Sequence, residues 1–151
     1  MSKKKIDIRN RKAGFNYEFL DKYEAGMVLQ GTEIKSIRAG EVSFGDSYCI
    51  LHKGELWVKS LHIAEYSHGN QNNHEPTRDR KLLLHKREIS KIESKIKDQG
   101  ITIVPTRIYL NDKGWAKIEI AVARGKKNYD KRDSIKERDS KRQLDRIKNR
   151  Y

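Results

Sequence analysis

A single cysteine, Cys49, is present in 151 residues, so no disulfide can close within the chain and nothing points to an oxidising compartment. No run approaches the ~18 apolar residues of a membrane span, and Met1-Ser2-Lys3-Lys4-Lys5 leads into no apolar signal-peptide core. Apolar residues are lean, 35% against 36% charged, where about 25% charged is usual. Catalytic signatures are missing too. There is no Gly-x-Gly-x-x-Gly or phosphate-loop pattern, and Ser43-Phe44-Gly45 has Glu41 where a nucleophile elbow needs its first glycine. His74-Glu75 opens a metalloprotease pattern that fails at Arg78, where the second histidine belongs. His68 and His74 have no cysteine or acidic pair at ligand spacing and read as exposed loop histidines. Cys49, between Tyr48 and Ile50, reads as a small packed side chain. These absences leave the expectation of a soluble, cytoplasmic, monomeric protein of one domain, with no catalytic residue, cofactor or metal.

What is there is positive charge, unevenly spread: 34 Lys+Arg against 21 Asp+Glu give a net +13. Residues 1–12 hold 6 basic and 1 acidic side chains (+5), and residues 124–151 hold 12 and 5 (+7), leaving 16 and 15 (+1) between them. The chain therefore divides into a basic N-terminal arm, 1–12, a body, 13–124, and a basic C-terminal tail, 125–151. Cationic arms around a neutral body suit a polyanion, because each Lys or Arg at a phosphate releases condensed counterions. The bland alternative is that charged ends only keep the protein in solution.

The body reads as strands with short helical inserts. In Ile101–Leu110 the residues Thr102, Val104, Thr106, Ile108 and Leu110 share one face, and in Trp115–Ala123 so do Ala116, Ile118, Ile120 and Val122. A period of two marks half-buried antiparallel strands. Asn111-Asp112-Lys113-Gly114 supplies the turn, and Pro105, which deletes a ladder donor, belongs at an edge or bulge. A second hairpin is predicted for Ser47–His52 and Glu55–Leu61 across Lys53-Gly54, and a first strand over Asn16–Leu29, interrupted near Gly26. Thr32 is expected to cap a helix over Glu33–Ala39 that Gly40 stops, with Ile34 and Ile37 inward and Lys35 and Arg38 outward. A longer helix, Lys86–Gln99, is expected to bury Ile89, Ile92 and Ile96, and Ser67–Arg80 reads as an exposed loop. The tail has few apolar residues but good helix formers, a composition for disorder when free and helix when docked on something acidic. The fold class that follows is mainly β: an OB-type antiparallel barrel with two or three short helices and a basic C-terminal tail, a common oligonucleotide platform.

Local sequences carry this further. Asn10-Arg11-Lys12-Ala13, Glu24-Ala25-Gly26, Gly31-Thr32-Glu33-Ile34-Lys35-Ser36-Ile37-Arg38-Ala39-Gly40 and Asp46-Ser47-Tyr48 are followed by Arg78-Asp79-Arg80-Lys81-Leu82-Leu83-Leu84-His85 and Gly125-Lys126-Lys127-Asn128-Tyr129-Asp130-Lys131-Arg132. In this order, from about Asn10 to Arg138, the series resembles SmpB, the bacterial SsrA-binding family of trans-translation. The resemblance implies binding to the tRNA-like domain of transfer-messenger RNA (tmRNA) and its escort to stalled ribosomes. It also implies an indirect link to elongation factor Tu through alanyl-tmRNA, and a tail reaching the small-subunit decoding centre and the mRNA channel.

On that resemblance, tmRNA contacts fall to Asn10, Arg11 and Lys12 in the arm, and to Tyr17, Glu33, Lys35 and Arg38. They continue with Arg78, Arg80, Lys81, His85, Lys126 and Lys127. Glu33 repels phosphate, but a carboxylate can accept hydrogen bonds from base or 2′-hydroxyl donors; the alternative is a helix N-terminal charge or a partner for nearby cations. His85, often Asn in the family, either caps the next helix or meets RNA. Tyr129, Asp130, Lys131, Arg132, Lys136, Arg138 and Ile147 are the implied ribosome contacts, with Ser140 and Lys148 departing from the family pattern. The alternative function is another OB-fold RNA-binding or ribosome-associated assembly factor.

Overall fold

The computed structural model describes residues 6–67 and 73–126. Among the described residues the order is β1 (Asp7–Arg9), α1 (Arg11–Asn16), β2 (Tyr17–Met27), α2 (Gly31–Arg38), β3 (Val42–Ser43), β4 (Tyr48–His52) and β5 (Glu55–Lys59). It continues with β6 (His62–Ile63), β7 (Arg80–Leu83), α3 (Lys86–Ile96), β8 (Ile101–Leu110) and β9 (Ala116–Gly125). The antiparallel order β1-β8-β4-β5-β7-β2-β9, with β9 pairing again with β8, returns on itself. The six strands from β8 round to β9 thus form a ring, and β1 and β4 share the second edge of β8. This closed mainly β body agrees with the barrel expected from the pattern. Both predicted hairpins form, and in the tighter one the two turn residues Lys53 and Gly54 take φ of 53° and 75°, the left-handed pair a two-residue hairpin needs.

Two bulges decide which side chains enter the ring. In β2 the interruption expected near Gly26 falls instead between Phe19 and Asp21, where the register shifts and leaves Leu20 exposed, while Gly26 stays paired with Lys117. Because the side-chain period is two, one extra residue flips everything after it. Tyr17 and Phe19 therefore pack outside, on Ala13, Val104, Ala121 and Ala123, whereas Tyr23, Ala25 and Met27 join the inner core. In β8 the shift falls between Pro105 and Arg107, the bulge that the missing Pro105 donor favours. This corrects the single face assigned to that strand: Ile101, Ile103, Ile108 and Leu110 belong to the inner core, and Val104 to the outer cluster. The face assigned to β9 stands, with Ala116, Ile118, Ile120 and Val122 inward.

The helices close the ends. α3 buries Ile92 completely and packs Ile96 against the core, stopping at Ile96 rather than at Gln99. α2 buries Ile37, and Gly40 follows its end. Its cap is Gln30, not Thr32: the Glu33 carboxylate accepts from the Gln30 amide at 2.8 Å. α1 was not foreseen. Asn10 caps it, accepting from the Ala13 amide at 3.2 Å and donating through Nδ2 to the Pro105 carbonyl at 2.8 Å. Residues 7–12, expected as part of an arm, are thereby folded onto β8 as strand and helix. No helix among the described residues is long and apolar enough to cross a membrane.

Candidate nucleic-acid interface

The basic residues of the body fall into two kinds, quenched and open. Arg80 is fully buried, and so is Glu33, which it faces. Arg80 also donates to the Leu61 carbonyl at 2.7 Å and the Pro76 carbonyl at 3.0 Å, so one guanidinium gathers three parts of the chain. Arg78 donates to Glu33 Oε1 at 2.5 Å and to the Val28 carbonyl at 3.3 Å. Burial pushes the Glu33 carboxyl upward, but the Arg78, Gln30 and Arg80 hydrogen bonds outweigh it and hold the group below its ordinary value. Glu33 and Arg80, both implied as RNA contacts, are thus fully buried and paired with each other in this structure. Lys81 pairs with Glu55 at 3.1 Å, Asp79 with Lys59 at 3.6 Å, and Lys12 with Asp46 at 2.5 Å.

The same cluster fastens the segment before β7. Thr32 Oγ1 and His74 Nδ1 lie 2.8 Å apart, and His74 Nε2 is 2.8 Å from the Ile63 carbonyl. A carbonyl can only accept, so Nε2 carries the proton. His74 is buried, which corrects its reading as an exposed loop histidine: the Thr32 hydroxyl and a free carbonyl supply partners that composition does not reveal. Among the described residues no group of three or more His, Cys, Asp or Glu side chains could hold a metal ion.

Three of the open cations line a groove of about 470 Å³ between α2, the end of β2 and the β8–β9 turn. Arg38, Lys113 and Lys117 line it, and none forms an ion pair among the described residues. Between them stand Trp115, 68% exposed, and Leu83, 52% exposed, over a floor that includes Met27, Leu29 and Ile34. Gly114, at φ 79°, makes the left-handed turn that swings Trp115 outward. The groove continues over Gly26 and Leu83 to His85, where Glu24 and Glu88 also line it, so the phosphate-compatible side is that of Arg38, Lys113 and Lys117. An exposed indole beside unpaired cations can stack on a base while the cations meet phosphates.

Of the expected contact residues, Arg38 and His85 reach this groove, and Lys35 lies one turn from Arg38 with Nζ 5.4 Å from the Tyr66 ring centroid. His85 sits at the cap position of α3, its amide donating to Glu88 at 3.2 Å. Tyr17 packs partly buried in the outer cluster, and Asn10 is occupied as a cap. Arg11 is exposed at the start of α1, and the Lys126 amide bonds the Asn16 carbonyl at 2.9 Å. Lys127, Tyr129, Asp130, Lys131, Arg132, Lys136, Arg138 and Ile147 lie outside the described residues. Trp115, Leu83, Lys113 and Lys117 were missed. A tryptophan placed straight after the turn Asn111-Asp112-Lys113-Gly114, out of step with the apolar face of β9, was the signal for the first.

Comparison with known proteins fixes the family. The sequence model of the SmpB protein family matches residues 7–150. The SsrA-binding protein of Parabacteroides distasonis is 60% identical over 141 residues, covering 93% of this chain and 92% of the relative. That of Bacteroides thetaiotaomicron is 54% identical over 147 residues, 97% and 98% of the two chains. A chain from the solved structure described as "tmRNA-SmpB: a journey to the center of the bacterial ribosome" superposes with a TM-score of 0.71 at 43% identity, over 86% of this chain and 94% of its own. This chain belongs to the SmpB family.

Proposed function

We propose that this chain is an RNA-binding factor of trans-translation: it binds the tRNA-like domain of tmRNA and acts with it on stalled ribosomes. The observation that carries RNA binding is the groove holding exposed Trp115 and Leu83 among the unpaired cations Arg38, Lys113 and Lys117. Family membership names the RNA. The tail, with +7 from residue 124 onward, is the part suited to ribosomal RNA, in the decoding centre and the mRNA channel. The chain works as a non-catalytic monomer and meets elongation factor Tu only through the alanylated RNA.

Sequencing the RNA that copurifies with the full chain tests this: one structured species with an acceptor-like end is expected, and a mixed population would sink it in favour of a general assembly factor. The division between body and tail has its own test. A cut after Arg124 would clip β9, whose Gly125 pairs with Tyr17, so the chain is best ended after Lys126. The shortened protein keeps its tmRNA affinity and loses tagging of incomplete polypeptides; loss of tmRNA binding on truncation rejects the division.

A further inference from the structure

By sequence, Arg78-Asp79-Arg80-Lys81 is the densest basic run of the body, the first place to look for phosphate contacts. The structure wires it inward. Both oxygens of Glu33 are taken, Oε1 by Arg78 and the Gln30 amide and Oε2 by Arg80. Of the two arginines only Arg78 reaches the surface, its side chain 30% exposed. It donates to the carbonyl of Val28, whose sequence neighbours Met27 and Leu29 line the groove. A partly exposed guanidinium, if unpaired, would add one more open cation to the surface, attracting any phosphate backbone whatever its shape.

We propose that Glu33 is a specificity-determining positioning residue: it acts through Arg78, holding that partly exposed guanidinium paired at the protein surface so that RNA is selected by fit rather than by charge. This rests on the RNA-binding reading above. Glu33 need not touch RNA to govern its recognition. The same carboxylate fixes the first turn of α2 through Gln30, and so the direction in which Lys35 and Arg38 leave that helix.

Full-length protein, as wild type, Glu33→Gln, Arg78→Gln and the double variant, is titrated with the tRNA-like domain of tmRNA and with random-sequence RNA of equal length, across a salt series. Releasing Arg78 by Glu33→Gln adds one phosphate contact, so the salt slope for random RNA steepens by about one and its affinity rises about tenfold at low salt. The preference for the tRNA-like domain shrinks, and Arg78→Gln in the same chain restores the wild-type slope. A role confined to folding would weaken both RNAs alike and leave the slope where it was, which overturns the proposal. Should Glu33→Gln not fold, Arg78→Gln alone decides. A quenched arginine can be removed with the slope for random RNA unchanged, and a slope shallower by about one shows that Arg78 was never quenched. Wild-type protein that binds neither RNA overturns the RNA-binding reading itself, whereas wild-type binding with an unmoved slope in Glu33→Gln overturns only the part given to Glu33.

Discussion

Two regions a few residues apart use the same side chains to opposite ends. Around Glu33 the cations are paired, Arg80 fully buried and Arg78 partly exposed, each facing the carboxylate or a carbonyl, and their charge is spent on holding α2 to the segment before β7. In the groove next door the cations are outside, unpaired among the described residues, and share their surface with an exposed indole. A basic residue in a binding protein is thus not by that fact a binding residue. What decides is whether a carboxylate lies within reach, because desolvated charge must be compensated internally while solvated charge is left for a ligand.

Removing Arg80 tests the buried side most severely. Arg80→Leu leaves Glu33 in a dry site with one partner fewer and strips the Leu61 and Pro76 carbonyls of their donor. A loss of about 3–5 kcal/mol is expected, read from urea unfolding, and a loss under about 1 kcal/mol would erase the distinction between the two regions. On the open side, Trp115→Ala is expected to leave the unfolding midpoint unchanged and to weaken RNA binding by about 1–3 kcal/mol, the worth of a base stacked on an aromatic ring. Unchanged affinity would move the interface off this face. Lys117→Gln comes next: binding weakens evenly across RNA sequences and the salt slope falls by about one, again with stability intact.

The contrast also explains what could be read from the chain before its structure. Both hairpins, the Lys86 helix and the closed mainly β body followed from local patterns, because turn residues and apolar spacing act over a few positions. The faces of β2 and β8 did not. A bulge inverts the alternation, and although Pro105 flagged one in β8, nothing in the composition of β2 marked Leu20. At the site, motif order led to the family, and Arg38 and His85, expected as RNA contacts, both line the groove. His74 was misread as an exposed loop histidine and the burial of Glu33 and Arg80 was not visible, since the partners stand 47, 19 and 42 positions away in the pairs Arg80–Glu33, Arg80–Leu61 and His74–Thr32. Pairing at that range is set by topology, and one sequence does not display it.

The smallest expected effect separates the regions by acid rather than by mutation. Glu33 is held below its ordinary value of 4.5, so its ionised form binds the folded state better than the unfolded one. Its contribution is complete above 4.5, where both states are ionised, and is lost as the pH falls through the lower folded value. Asp7 and Asp46 are shifted the same way by Arg107 and Lys12, but they sit in solvent, where such pairs add little to stability. Thermal melts from pH 7 down to pH 3 should therefore show wild type losing stability more steeply in the acid range than Glu33→Gln, which has no proton to take up at that position. Among the described residues no carboxylate lines the side of the groove that holds Arg38, Lys113 and Lys117. Over the part of the range where both variants stay folded, RNA affinity at fixed salt should follow the cations and stay level. A collapse of RNA binding ahead of unfolding would mean that the two regions are coupled more tightly than their separate wiring implies.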